Sequence, residues 1–244
     1  MIKLETHCHS LGANTCPKSP PEQIIEDYLN MGYGGAISTN HYSKGAFVTY
    51  PDGDDRVKAE YFLSLIDDFK EKGRKKGFKV FNGVEVRLLS NEQEFMLIGF
   101  DRQFFLDNCS MYTYTQEQLF AVCEKAGVLM SQTHPKRSSG KHKVIASNPK
   151  FLHAAEVFNG HFHHVNNNDE ALKFVTENNL IKLSGTDYHE FGQPITAGIY
   201  IPEEIETEKQ LLDYLFKGEF ERIEDKELYL ETMQKWLEYK RLCK

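Results

Sequence analysis

No run of apolar residues in this sequence approaches the ~20 that a bilayer-spanning helix requires, which excludes a helical membrane protein. The opening Met1-Ile2-Lys3-Leu4-Glu5-Thr6-His7 lacks a cationic stretch leading into an apolar block, so no secretory signal is expected. Cysteines are few: Cys8, Cys16, Cys109, Cys123 and Cys243 are odd in number and lack framework spacing, which suits a reducing, cytoplasmic setting. Positive charge is also short. Lys and Arg number 29 against 36 Asp and Glu, a net charge of −7 that argues against long nucleic acid as a partner, since phosphate contacts dominate such binding. There is no internal repeat, low-complexity tract or Pro/Gly/Ser-rich linker. One domain is expected over residues 1–244, with a helical extension from about 226 to 244. The content of 40% hydrophobic and 27% charged residues is that of a chain with a substantial buried core rather than a disordered one.

Short β-branched and aliphatic runs alternate with amphipathic helical patterns, which indicates an α/β fold with a mainly parallel sheet. The strand candidates are Ile2–His7, Gly35–Thr39, Lys79–Val86, Glu94–Gly99, Val128–Gln132, Ala154–Phe158, Leu180–Ser184 and Ala197–Ile201. Helices are expected at Pro21–Met31, Arg56–Lys76, Gln116–Lys125 and Asn168–Glu177. Leu228–Leu242 reads as a helix that packs one face on the body. About seven parallel strands would make either an open sheet or a barrel.

The polar residues sit at the strand ends. His7 and His9 close the first strand, where alternation lets both face one ion while Cys8 turns away into packing. Asn40-His41 closes the second and Glu85 lies between two valines at the end of the third. His134, Glu156, and Asp187 with His189 mark three more. In a parallel α/β protein such ends converge on one face. Neutral cores seldom bury so many unpaired ionisable groups. Imidazoles and carboxylates together suit Zn, Mn or Fe, and the set exceeds what one four-coordinate ion needs, so two or three divalent metals are expected.

The stretches Glu5-Thr6-His7-Cys8-His9-Ser10, Thr39-Asn40-His41, Gly83-Val84-Glu85-Val86, His134-Pro135, Ala155-Glu156-Val157-Phe158-Asn159-Gly160 and Ser184-Gly185-Thr186-Asp187-Tyr188-His189 resemble the successive motifs of the PHP (polymerase and histidinol phosphatase) family, from residue 4 to about residue 200. That resemblance implies a distorted (β/α)7 barrel with metals at the C-terminal rim of its strands. It assigns His7, His9, Glu85 and Asp187 to a first ion, Glu85 and His134 to a second, and His41 and His189 to a third. Relatives often place a further histidine shortly after the bridging Glu. Here Gln93-Glu94-Phe95 stands in that region, so either Glu94 or water takes the place or the second ion binds weakly. For the third ion the candidates after the first motif are Asn14 and Cys16, and Asn40 stands where Asp is common. Glu156 and Asn159 are expected to orient the ligands through hydrogen bonds, as is Asn40.

The chemistry expected is metal-dependent phosphoester hydrolysis by a metal-activated hydroxide, with His189 or a metal-bound water protonating the leaving group. Arg137, in Lys136-Arg137-Ser138-Ser139-Gly140-Lys141-His142-Lys143, is expected to grip the phosphate, a role the resemblance supports. Lys136, Lys141 and Lys143 would act as point charges. Arg87 is a further substrate-binding candidate, or else pairs with a surface acid. His161-Phe162-His163-His164 is expected to gate the substrate or face solvent, and Tyr42, Lys44 and Phe47 to line the pocket. The substrate expected is a small phosphorylated molecule, such as histidinol phosphate, a nucleotide or a short oligonucleotide. A metal-dependent amidohydrolase and a metal-binding domain without turnover are the alternatives.

Overall fold

The computed structural model describes residues 1–139, 142–144 and 147–242. In chain order its elements are β1 (Ile2–Cys8), α1 (Pro21–Asn30), β2 (Tyr33–Ser38), β3 (His41–Tyr42), α2 (Asp55–Lys75), β4 (Lys79–Arg87), β5 (Glu94–Ile98), α3 (Arg102–Asp107), α4 (Gln116–Ala126) and β6 (Leu129–Gln132). They continue with β7 (Ser138–Ser139), β8 (His142–Lys143), β9 (Ala154–Asn159), α5 (Asn168–Glu177), β10 (Ile181–Gly185), β11 (Ala197–Ile201), α6 (Glu208–Leu215), β12 (Arg222–Glu224) and α7 (Lys226–Leu242). Each strand expected from the sequence is present, with ends shifted by at most two residues. Among the described residues no helix is long and apolar enough to cross a membrane.

The main sheet runs β10-β9-β6-β5-β4-β2-β1-β11-β12, with β3 also on β4. It curls into a nearly closed mixed barrel rather than a ring of parallel strands. β5 is antiparallel to both β4 and β6, and β11 is antiparallel to β1 and β12. The connections explain this: β4 reaches β5, and β10 reaches β11, without an intervening helix, and a parallel neighbour needs a crossover of a dozen or more residues, usually helical. The two ends of the sheet meet at the rim. Cys8 bridges Tyr188 in parallel fashion, and Thr6 Oγ1 donates to Ser184 O at 2.8 Å.

Period-two alternation then divides the barrel interior into a floor and a rim. Phe81 on β4, Met96 and Ile98 on β5, Leu183 on β10 and Ala154 on β9 join one apolar cluster, which Leu211 and Leu215 of α6 also enter. Further along the same faces stand Glu85, Glu94, Asp187 and Glu156. β1 breaks the rule, because Leu4 is in the floor cluster and His7, at odd spacing, is at the rim. The β1–β2 register slips between Glu5 and Cys8, a bulge that re-aims the side chains beyond it. Outside the barrel, α1 covers Cys8, Ala36 and Tyr188 with Ile24, Ile25 and Tyr28, so Cys8 does pack away from the histidines.

α7 departs from expectation. Tyr229 is buried, and Met233 packs beside it in the cluster that holds Phe158, but Leu230, Leu237, Tyr239 and Leu242 are exposed. The helix meets the body through its first turns and through Trp236, whose ring stacks on His163 at 4.1 Å.

Two features hold β1 against β10. A Cβ on Gly185 would lie 2.6 Å from His7 Cβ and 2.9 Å from Glu156 Oε1, so only glycine permits this approach. Gly185→Ala should therefore cost about 1–3 kcal/mol of stability. That is measured as an earlier urea midpoint at unchanged slope; an unmoved midpoint would contradict the close packing. The second feature is buried Glu5, whose Oε1 accepts from His7 N at 2.8 Å and Thr186 N at 2.9 Å, and whose Oε2 accepts from Tyr28 Oη at 2.8 Å. Burial pushes this carboxyl up to about 7, against the hydrogen bonds from Thr186 and His7. The folded state thus keeps a proton that the unfolded chain releases near 4.5. The resulting stability is full below that value and is lost as pH rises through about 7. In chelator, Glu5→Gln should gain on the native chain by on the order of 2–3 kcal/mol between pH 4.5 and 8. A gap between their urea midpoints that does not change with pH would refute this.

Candidate metal centre

The rim gathers His7 and His9 from β1, His41 from β3, Glu85 from β4, Glu94 from β5, His134 after β6, and Asp187 and His189 after β10. Glu85 is the hub. Its Oε2 lies 2.7 Å from His41 Nδ1, and its Oε1 lies 3.3 Å from His134 Nε2 and 3.5 Å from His7 Nε2. Asp187 Oδ1 lies 3.2 Å from His9 Nε2, 3.3 Å from His189 Nδ1 and 3.5 Å from His7 Nε2. The rings of His9 and His41 stack at 4.2 Å, and those of His9 and His189 are 4.3 Å apart.

Yet several of these buried atoms have no hydrogen-bond partner: His7 Nε2, both nitrogens of His9, Glu85 Oε1 and His134 Nδ1. Unpaired buried polar groups cost on the order of 1–3 kcal/mol each, more when charged. Separations of 3.2–3.7 Å between donor atoms are long for a charge-assisted hydrogen bond. They match neighbouring ligands around one cation, since bonds of about 2.0–2.2 Å put adjacent ligands roughly 3–3.5 Å apart. Ligand atoms come within 4.8 Å of one another in three groups: His7, His9 and Glu85; His9, His41 and His189; His41, Glu85 and Glu94. The donor set of imidazole nitrogen and carboxylate oxygen fits divalent Zn, Mn or Fe.

Electrostatics agree. Burial opposes charge on Glu85, but His41 and His7 hold its carboxyl well below the usual range. Burial likewise opposes charge on Asp187, and His7 and Arg137 outweigh it in the same direction. His7 is driven well above the ordinary histidine value, because Glu156, Asp187 and Glu85 overcome its burial. His9 lies well below it, from burial and from His41 and His189 alongside. His134 and Asp187 also take left-handed backbone, φ 31° and 57°, a strained choice for a non-glycine residue that the surrounding contacts enforce.

Supporting hydrogen bonds lie behind this layer. Glu156 Oε1 contacts His7 Nδ1 at 2.8 Å, which leaves Nε2 facing the cage, and Glu156 Oε2 accepts from His134 N at 2.7 Å and Asn159 Nδ2 at 3.0 Å. Among the described residues the side-chain hydrogen bonds of Asn40 go to Ser10 and not to a ligand side chain: its Oδ1 accepts from Ser10 N at 2.7 Å and its Nδ2 donates to Ser10 Oγ at 2.9 Å, fixing the turn after His9.

A cavity of about 910 Å³ opens over the cage. It brings together Asn14, Cys16, Arg87, Glu94 and Arg137 with His41, His134 and His189. Arg137 is clamped rather than loose: its Nη2 donates to Asp187 Oδ2 and, at 2.7 Å, to Asn159 Oδ1, and its Nε donates to Asn166 Oδ1 at 2.8 Å. Arg87 reaches the outer wall, where Nη2 is 3.2 Å from Glu92 Oε2. Glu94 Oε2 lies 3.6 Å from His134 Nε2, within the region where relatives carry a histidine. Cys16 and Asn14 sit on the cavity wall, where Asn14 Oδ1 accepts from Cys16 N, and belong to none of the three ligand groups.

Two expected placements differ in the structure. Lys136 turns its amine over the Phe174 ring, 5.3 Å from the centroid, and does not line the cavity. Tyr42 is fully buried in an aromatic cluster that Phe47 packs against, and neither residue nor Lys44 lines the cavity; Ser43, Gly45 and Ala46 do. Of His161-Phe162-His163-His164, expected to gate the substrate or face solvent, His161 is buried and His161 and His164 both line the cavity, a placement that agrees with the first of those roles. Lys141 lies outside the described residues, as does the side chain of Lys143. Sequence reasoning also missed Glu5, Asn166 and Gln193, whose roles depend on contacts between distant segments; the only local signal is that Gln193 follows His189 by four residues.

Neither a protein-family model nor a curated protein matches this sequence. Solved structures do. A two-domain protein from Bacteroides vulgatus containing a predicted PHP-like metal-dependent phosphoesterase is similar over 96% of this chain and 69% of its own, at 17% identity and a TM-score of 0.67. PsfC from Pseudomonas syringae is similar over 100% of this chain and 99% of its own, at 13% identity and a TM-score of 0.63. Endonuclease Q, solved with a 27-mer duplex carrying an abasic lesion at the active site, is similar over 91% of this chain and 58% of its own, at 13% identity and a TM-score of 0.55. The chain has the fold of PHP-like metal-dependent phosphoesterases.

Proposed function

We propose that this protein is a PHP-family hydrolase that removes phosphate from a small, polar phosphorylated molecule. The observation that carries the reading is the set of buried, unpartnered imidazole and carboxylate atoms at ligand spacing around Glu85. His7, His9, Glu85 and Asp187 would hold a first divalent ion, Glu85, His134 and Glu94 a second, and His41 and His189 a third. Ions bound there would lower the pKa of water and neutralise charge on phosphoryl oxygens. The protein's own groups do the rest. Glu156 and Asn159 fix the ligand geometry and Arg137 presents guanidinium hydrogens to the phosphate; with the third ion absent, His189 at the cavity wall would protonate the departing oxygen.

The cavity supports a polar leaving group. Among the described residues that line it there is no Phe, Tyr or Trp, so the large aromatic side chains that most often stack nucleobases are missing. Asn14, Ser43, Asn91 and Gln93 supply hydrogen-bonding groups instead. With a net charge of −7, the chain is a poor match for the phosphate backbone of long nucleic acid. A cytoplasmic setting is supported by unpaired Cys8, Cys16, Cys109 and Cys123.

Phosphate release should be assayed with manganese or zinc against sugar and polyol phosphates, nucleoside monophosphates, oligonucleotides and simple amides. Turnover of the small phosphomonoesters is expected, lost in chelator and reduced by a hundredfold or so or more in His9→Ala and Asp187→Ala. Amide hydrolysis alone, cleavage of long DNA alone, or phosphate release indifferent to chelator would each contradict the assignment.

A further inference from the structure

His161 stands on the cavity wall beside the cage, with its ring centroid 5.0 Å from that of His189. The structure fixes which of its nitrogens carries the proton. Gln193 Oε1 accepts from His189 N at 2.8 Å, so the amide orientation is set, and its Nε2 must be the donor end. That Nε2 donates to Asp187 O at 3.0 Å and lies 3.3 Å from His161 Nδ1. Two donors cannot face each other, so His161 Nδ1 is the acceptor and the ring hydrogen sits on Nε2. Among the described residues nothing pairs with that Nε2–H, which is left for the cavity.

The backbone around His161 is held just as firmly. Its N–H donates to Asn159 Oδ1 at 3.0 Å and its carbonyl accepts from Asn166 Nδ2 at 3.1 Å. The same two asparagines accept from Arg137, at 2.7 and 2.8 Å. Arg137 Nη1 keeps its hydrogens unpartnered among the described residues. One pair of side chains thus locks a guanidinium and an imidazole onto the same wall. Tyr229 of α7 braces the loop, its Oη donating to His164 O at 3.1 Å and accepting from Asn166 N at 3.2 Å.

We propose that His161 Nε2–H and Arg137 Nη1–H form a rigid two-donor subsite for a phosphoryl oxyanion, with Gln193 and the Asn159–Asn166 pair as its positioning residues. His161 is a substrate-binding residue here and not a metal ligand. The subsite rests on the phosphoesterase reading and names the part of the cavity wall that holds the non-bridging oxygens.

Inorganic phosphate, the expected product, is the probe. Titration calorimetry on the manganese-loaded protein should show phosphate affinity reduced about tenfold in His161→Ala. It should return most of the way in His161→Gln, whose amide nitrogen reaches the Nε2 position, and manganese affinity should stay within twofold of native in both. KM for a phosphomonoester should rise in parallel with the loss of phosphate affinity. Long-range ¹H–¹⁵N spectra of the metal-free protein give a readout independent of turnover, and should show His161 protonated on Nε2. Protonation on Nδ1, unchanged phosphate affinity in His161→Ala, or a matching loss of manganese affinity would each overturn the subsite. Should the native protein turn over no phosphoester, the assignment of function falls with it. Turnover by the native chain with an indifferent His161→Ala sinks the subsite alone.

Discussion

The structure turns on one buried carboxylate. Glu85 lies near the end of β4, beyond the apolar floor residue Phe81, and its charge is met by His7, His41 and His134 from three other segments. An ion taken out of water loses several kcal/mol of solvation even after relaxation, so it must be compensated by opposite charge nearby. Protons on His7 and His41, both held above the ordinary histidine value, supply part of that charge, and a divalent cation bound there would supply it in full while satisfying the nitrogens that lack partners. β4, β5, β9 and β10 share this requirement, because alternation delivers the next polar residue to the same enclosed space as their apolar floor, while β1 reaches it through its bulge.

Precision comes from the hydrogen bonds that hold the ligands from behind and beside. Glu156 serves two ligands at once, His7 through its ring and His134 through its backbone. Asn159 ties that carboxylate to Arg137, and Arg137 ties it to Asp187. Gly185 permits the close approach of β1 and β10 that this network spans. Such a network holds groups that would otherwise repel or reorient, and it accounts for the left-handed backbone at His134 and Asp187, a cost that an isolated loop would relax.

Much of this was readable in the sequence because strand ends are local. The pairs His7/His9 and Asp187/His189 announce themselves by spacing, and Glu85 by standing between valines. What spacing could not convey is which strands run against their neighbours: β5 and β11 look like any buried strand, and only the short connections before them reveal the direction. Lys136 and Arg137 are adjacent in sequence yet part company in space, one over an aromatic ring and the other over a ligand, since a turn separates their directions. Glu5 was silent because its partners, Tyr28 and Thr186, lie 23 and 181 residues away. The histidines at 161 and 164 were visible as a tract, but their place on the cavity wall, and the burial of His161, follow from the asparagines and Tyr229 that pull the loop inward, which no local pattern encodes.

Anomalous diffraction from crystals grown with manganese, collected on both sides of the metal's absorption edge, tests the cage itself. Strong peaks should appear among His7 Nε2, His9 Nε2, Glu85 and Asp187, with a second beside His134 and Glu94. A map with no anomalous peak among these side chains, in protein exposed to saturating manganese or zinc, would contradict the metal centre and everything built upon it.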